Sequence, residues 1–176
     1  MQPRVGMPRD FAKQIARWHP GALTALLLVS VVAQMIASDV ALPPVARGAL
    51  ISLPIGLICG WLWAVFNVSR HASLTPISPY WDWIFAVPPA VALAAGLAGW
   101  STQNSPAAFA IFLALFIGLS LAAKTLERVD AANGAPSVGR MLGTAVLMYF
   151  APVGVWVLRG KILRVTARSD DVALIT

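Results

Sequence analysis

Charge is scarce in this sequence and cysteine is nearly absent. Charged residues make up 11% of the 176, against about 25% in a soluble domain. A soluble enzyme, a disordered chain and a coiled coil are all poor fits to so little charge. Cys59 is the single cysteine and lies inside an apolar run, which excludes a disulfide scaffold. No base or charge stands near it in sequence to activate a thiolate, so it reads as a small packing residue. There are two histidines, His19 and His71. With Asp10 and Asp82 they fall near segment ends, but without the spacing of a metal or acid–base site. A Gly-rich phosphate loop and a Ser nucleophile elbow are also missing. The sequence therefore predicts no enzyme, no cofactor and no metal.

What is there is apolar. Hydrophobic residues make up 59% of the chain, and five long runs carry no interior charge: 21–38, 48–68, 83–100, 106–123 and 141–158. About 20 apolar residues cross a bilayer core as a helix. The runs are continuous rather than alternating, which favours helices over a barrel. The expected fold is all-α, a transmembrane bundle of about five hydrophobic helices. A short amphipathic helix precedes them, with Phe11, Ile15 and Trp18 on one side and Arg9, Lys13 and Arg17 toward the other. The chain divides into a basic N-terminal segment (1–20), the membrane domain (21–158) and a basic-then-acidic tail (159–176). The first run lacks a small-x-small cleavage site and reads as an uncleaved span.

Turn and cap chemistry marks the boundaries. Pro43-Pro44 precedes the second run. Ser105-Pro106 reads as an N-cap with proline at the first helical position. The short Ser101–Asn104 link makes runs three and four a hairpin, and Asn133-Gly134-Ala135-Pro136 separates four from five. Pro54, Pro88-Pro89 and Pro152 lie inside apolar runs, where each is expected to kink a helix. Trp61, Trp63, Tyr80, Trp81, Trp83 and Trp100 fall near run ends, as an interfacial aromatic belt does; Trp61, a little deeper, is alternatively a packing residue.

Net charge is +6, from 13 Lys/Arg and 7 Asp/Glu. The cations sit in ends and connections, which points to topology signals and anionic lipid headgroups rather than nucleic acid. Their distribution over the first four spans puts the N-terminus and the 124–140 connection in the cytoplasm. The fifth run is then awkward, with positive charge on both flanks. It is expected to be a true span with a frustrated end; the alternative is a re-entrant helix broken at Pro152-Val153-Gly154.

No ionisable residue enters the runs, which weakens the case for an ion pathway. Gln34, Asn67, Ser30, Ser52, Ser120 and Thr144 are the polar groups available; Gln34 and Asn67 are expected to hydrogen-bond between helices, the alternative being a path for a neutral solute. Small residues at helical spacing mark expected packing faces: Gly56 and Gly60, Gly139 and Gly143, Gly96 and Gly99. Gly60→Leu is accordingly expected to disrupt packing more than Leu62→Ala. Lys124, Glu127 and Arg128, together with Arg9, Lys13 and Arg17, are candidates for cytoplasmic docking or lipid-head contact, with Lys124 and Glu127 spaced to pair weakly. The favoured function is a non-catalytic accessory or scaffold subunit with a membrane-protein partner or a homo-oligomer. The alternative is a small oligomeric transporter or channel for a neutral or hydrophobic solute.

The stretch Ala123-Lys124-Thr125-Leu126-Glu127, followed by Tyr149-Phe150-Ala151-Pro152-Val153-Gly154-Val155-Trp156 and then Arg159 and Lys161-Ile162, resembles a group of small multi-spanning bacterial membrane proteins with no assigned function. The likeness is confined to residues 123–162. Where that group has Gln-Pro-Arg-Ile-Asn, this chain has Leu158-Arg159-Gly160-Lys161-Ile162. The resemblance implies a bacterial membrane protein and supplies no activity.

Overall fold

The computed structural model describes residues 7–38, 42–73, 77–99, 106–131 and 135–175. Among these there is no strand, and seven α-helices follow one another: α1 (Met7–Ala16), α2 (Pro20–Ser38), α3 (Pro44–Ala72), α4 (Val87–Leu97), α5 (Pro106–Asp130), α6 (Val138–Tyr149) and α7 (Ala151–Ile175). A 3-10 segment, Pro79–Phe85, leads into α4. The protein is all-helical, as the continuous apolar runs require. Three stretches are long and apolar enough to cross a membrane: Pro44–Ala72, Pro79–Leu97 and Pro106–Asp130. Helices α1 and α2 form a fourth candidate only as a pair, bent by 83°. The 101–105 link, the Asn133-Gly134 turn and Trp100 lie outside the described residues.

Helix α3 is the central post and packs against α1, α2, α4, α5 and α7. Its C-terminal half is largely buried: Trp61, Leu62, Ala64, Val65, Phe66 and Val68 are each at most 2% exposed. A helix apolar all round belongs in such a position. Trp61 is thus a packing residue, whereas Tyr80, Trp81 and Trp83 are exposed where a belt would lie.

The prolines fall where their missing N–H costs least. Pro88 and Pro89 occupy the first turn of α4, and Pro152 the first turn of α7. Neither site kinks a helix, contrary to the expectation from the runs, because the first N–H groups of a helix have no intrahelical acceptor. Only Pro54 is interior to its helix.

The largest correction concerns 141–158. This run is not one helix. Helix α6 ends at Tyr149, Phe150 interrupts at φ −86°, ψ 59°, and α7 begins at Ala151. Thr144 on α6 and Lys161 on α7 both donate to Glu127 Oε1. In a continuous helix those two residues would stand about 25 Å apart. Arg140 and Arg164 likewise share Asp130. The chain therefore reverses at Phe150, and α6–α7 is an antiparallel hairpin. Helix α6 is 12 residues long, about 18 Å, too short for a ~30 Å hydrocarbon core. The tail expected from residue 159 is instead the continuation of α7, with Ile162, Val165, Thr166 and Ser169 buried.

The glycines also sort differently from their spacing. A Cβ on Gly96 would lie 2.4 Å from the Gly48 Cα, so the α3 and α4 backbones meet there with no room for a side chain. Gly99 makes no packing contact; it ends α4 at φ +67°, the left-handed position that favours glycine. A Cβ on Gly60, Gly139 or Gly143 would meet nothing within 4 Å, and one on Gly56 only Pro89 Cβ at 3.8 Å. These four form no close helix contact within the chain. The order expected for Gly60 and Leu62 therefore reverses. Leu62 is fully buried, so Leu62→Ala should cost about 2–5 kcal/mol, and Gly96→Ala should separate α3 from α4. Gly60→Leu should leave the melting temperature within a degree or two. Thermal unfolding of the three variants in detergent checks this order.

Candidate functional site

The charged groups gather where the α6–α7 hairpin meets the end of α5. Glu127 and Asp130, three apart on α5, share one helix face. On α7, Lys161, Arg164 and Arg168 recur at helical spacing and present a cationic stripe to it. Glu127 is 0% exposed. Its Oε1 accepts from Thr144 and Lys161, and Oε2 lies 3.2 Å from the Arg140 guanidinium without an aligned N–H. Asp130 receives Arg140 at 3.1 Å and Arg164 at 3.0 Å, with Lys161 Nζ at 3.8 Å. Arg168 donates to the Val129 carbonyl, one of the orphan acceptors at the end of α5. Four cationic side chains, Arg140, Lys161, Arg164 and Arg168, thus fasten the hairpin to α5. The cations outnumber the acids, and the guanidinium groups of Arg140 and Arg164 remain at least half exposed.

This arrangement corrects the reading of Glu127 as a docking residue. It is inaccessible, and its partners are Lys161, Thr144 and Arg140 rather than Lys124. Lys124 is exposed on the neighbouring face of α5, and Arg128 is partly buried. The sequence did hold a signal: the acid pair at i, i+3 matches the cations at 161, 164 and 168. Reading 159–176 as a tail hid it.

A second polar group ties the 3-10 segment to α3. Arg70 pairs with Asp82 at 3.0 Å and donates to Asn67 Oδ1 at 2.7 Å. Asn67 donates to Asp82 at 3.1 Å and to the Trp63 carbonyl at 3.2 Å. Every branch of Asn67 is engaged. Ser30, Ser52 and Ser120 donate to carbonyls of their own helices, the usual local resolution for hydroxyls in helices.

Helix α1 lies against this same end. Ala12 and Ala16 are buried, while Phe11 is 57% and Trp18 40% exposed. Lys13 and Arg17 both pair with Asp170 near the end of α7, Arg17 at 2.8 Å; of Arg9 only the backbone is described. His19 sets its ring edge-on to Trp156 at 6.0 Å. The Lys13 ammonium that donates to Asp170 holds its carboxyl below the ordinary carboxylate range, aided by Arg17. A carboxylate whose folded pKa is depressed stabilises above its unfolded value, here 3.8, and that contribution disappears as pH falls through the folded value. The protection of α1 amides, relative to their intrinsic exchange rates, should therefore be constant near neutrality and fall below about pH 3.8. In Asp170→Asn that fall should be absent, with protection already lower at pH 7.

Two concavities complete the surface. One, of about 410 Å³, lies between α5 and α6. The other, of about 310 Å³, is bounded by Gly56 and Gly60 on α3 and by Asp82, Phe85 and Pro89. Cys59 is buried at its edge. Among the described residues no group of three or more His, Cys, Asp or Glu is placed to hold a metal. No family model, no curated protein and no solved structure matches the chain.

Proposed function

We propose that this chain is a non-catalytic integral membrane protein, an accessory or scaffold subunit that docks a protein partner at its charged end. The observation that carries the reading is the rigid display of exposed guanidinium groups: Arg140 and Arg164 project from a hairpin pinned by Glu127 and Asp130. Side chains held in place by internal ion pairs lose less freedom on binding, which favours recognition. In this reading α2 is a fourth crossing and α6–α7 is re-entrant. The N-terminus and the hairpin's charged foot then share the cytoplasmic side of a bacterial inner membrane. A re-entrant hairpin removes the frustration of a fifth span, since Arg159, Lys161, Arg164 and Arg168 return to the side of Lys13 and Lys124, in accord with the positive-inside rule. The likeness to small bacterial multi-spanning proteins belongs to the same proposal.

Purification in mild detergent tests it. A stoichiometric partner is expected with the wild type and should be lost in the Arg140→Gln/Arg164→Gln variant, which removes both displayed charges; cooperative thermal unfolding checks that the variant is folded. A chain that purifies alone, or a partner indifferent to the charge changes, would overturn the reading. Cysteines introduced near Arg9 and Arg128 should both resist an impermeant reagent in intact cells; labelling of either reverses the orientation.

A further inference from the structure

The larger concavity runs along the lipid-facing seam between α5 and α6. Its walls are Phe112 and Phe116 on α5 and Leu142, Val146 and Tyr149 on α6, with Ile58 of α3 behind them. These five wall residues are each more than half exposed, so the groove opens to the outside of the bundle, which is hydrocarbon in the membrane arrangement proposed above. Ser120 and the phenol of Tyr149 are its polar lining groups, and the Ser120 hydroxyl is spent on the Phe116 carbonyl at 2.8 Å. At about 410 Å³ it falls within the ~300–1,000 Å³ of ordinary small-molecule sites. The rest of its lining is apolar.

Its lower end has a different character. Lys124 stands one turn beyond Ser120 on α5 and is exposed. On α6 the stripe of Leu142, Val146 and Tyr149 begins at the first turn, where Val138 and Gly139 are also exposed. Between residues 124 and 168 there are seven Lys/Arg and two acids, Glu127 and Asp130, both acids already engaged inside the hairpin latch. An apolar groove that descends to a cationic foot at the end of a membrane helix complements an anionic amphiphile.

We propose that this groove holds one acyl chain of an anionic phospholipid, with the phosphate against Lys124 and the first turn of α6. Ring walls on two helices and α3 behind them give the chain a fixed channel rather than a smooth helix surface. The lysine selects the head by charge, and the rings accept the tail. The site needs only that these helices lie in a bilayer; it does not depend on a protein partner, and its test uses the purified protein alone.

The experiment is native mass spectrometry of the protein extracted from vesicles of equimolar phosphatidylglycerol and phosphatidylcholine. The wild type is expected to retain one phosphatidylglycerol in roughly five-fold preference, the discrimination one lysine near a charged surface supplies. Lys124→Gln should bring the two lipids to equal retention. Ala145→Trp, which fills the groove from α6, should abolish retention of both. If Ala145→Trp does not fold, Val146→Trp at the groove mouth replaces it. Equal retention of both lipids by the wild type, or undiminished retention in the folded tryptophan variant, would overturn the proposal.

Discussion

Glu127→Ala is expected to destabilise the protein by about 3–5 kcal/mol, the cost of removing one member of a buried ion pair. The side chain is fully buried, and Lys161 beside it is 18% exposed. Alanine would leave the Lys161 ammonium with only the distant Asp130 carboxylate at 3.8 Å, Thr144 without its acceptor and Arg140 with Asp130 alone. The penalty arises mainly from the stranded charge, so it should be relieved by removing the charge too. Glu127→Ala/Lys161→Met is expected to recover more than half of the loss, since a buried pair is often replaceable by apolar side chains. Glu127→Gln should fall between, because an amide still accepts from Thr144. Denaturant titration in detergent micelles, run as a double-mutant cycle, measures the coupling. A Glu127→Ala loss below about 1 kcal/mol would mean that water reaches the cluster and that the hairpin is held by its apolar face.

The charge latch also explains what was and was not legible in the sequence. Run length against bilayer thickness located α2, α3 and α5 to within a few residues at their N-terminal ends. Such averaging cannot register a reversal made by one residue, so 141–158 looked like a span. The chemistry of the reversal was nonetheless present, as an aromatic pair followed by Pro152 and Gly154, and so was the positive charge on both flanks. Spacing alone found glycine faces without showing what stands opposite them. Gly96 meets a backbone only because Gly48, 48 residues earlier, supplies the matching gap. Gly56 and Gly60 also stand at helical spacing, yet they border an open concavity. A contact needs two surfaces, and one sequence segment describes only one of them. The cationic stripe on α7 was hidden for a similar reason: its meaning lies in Glu127 and Asp130, which the hairpin alone brings opposite.

Gly154→Ala is expected to open that hairpin. An ideal Cβ on Gly154 would sit 1.9 Å from the Leu147 carbonyl oxygen and 2.6 Å from its carbon. Both are backbone atoms of α6, fixed by the turn in which Val153 and Gly154 donate to the Phe150 carbonyl at 2.9 and 2.8 Å. A flexible side chain could move aside; here only a shift of one helix against the other makes room. The cost should reach or exceed the upper end of the ~1–3 kcal/mol usual for overpacking, and Gly154→Val should cost more. Distances between spin labels at Leu142 and Leu163, both exposed, read the consequence directly. The folded-back chain brings those positions opposite each other, whereas a continuous helix would hold them about 31 Å apart. The wild type should give a single short distance, and Gly154→Val a longer, broader one. A long distance in the wild type would restore 141–158 as a span and dissolve the latch, because Lys161 cannot then reach Glu127. A short distance unchanged in Gly154→Val would place the hairpin's stability in the ion pairs alone, and the glycine would be incidental to the turn.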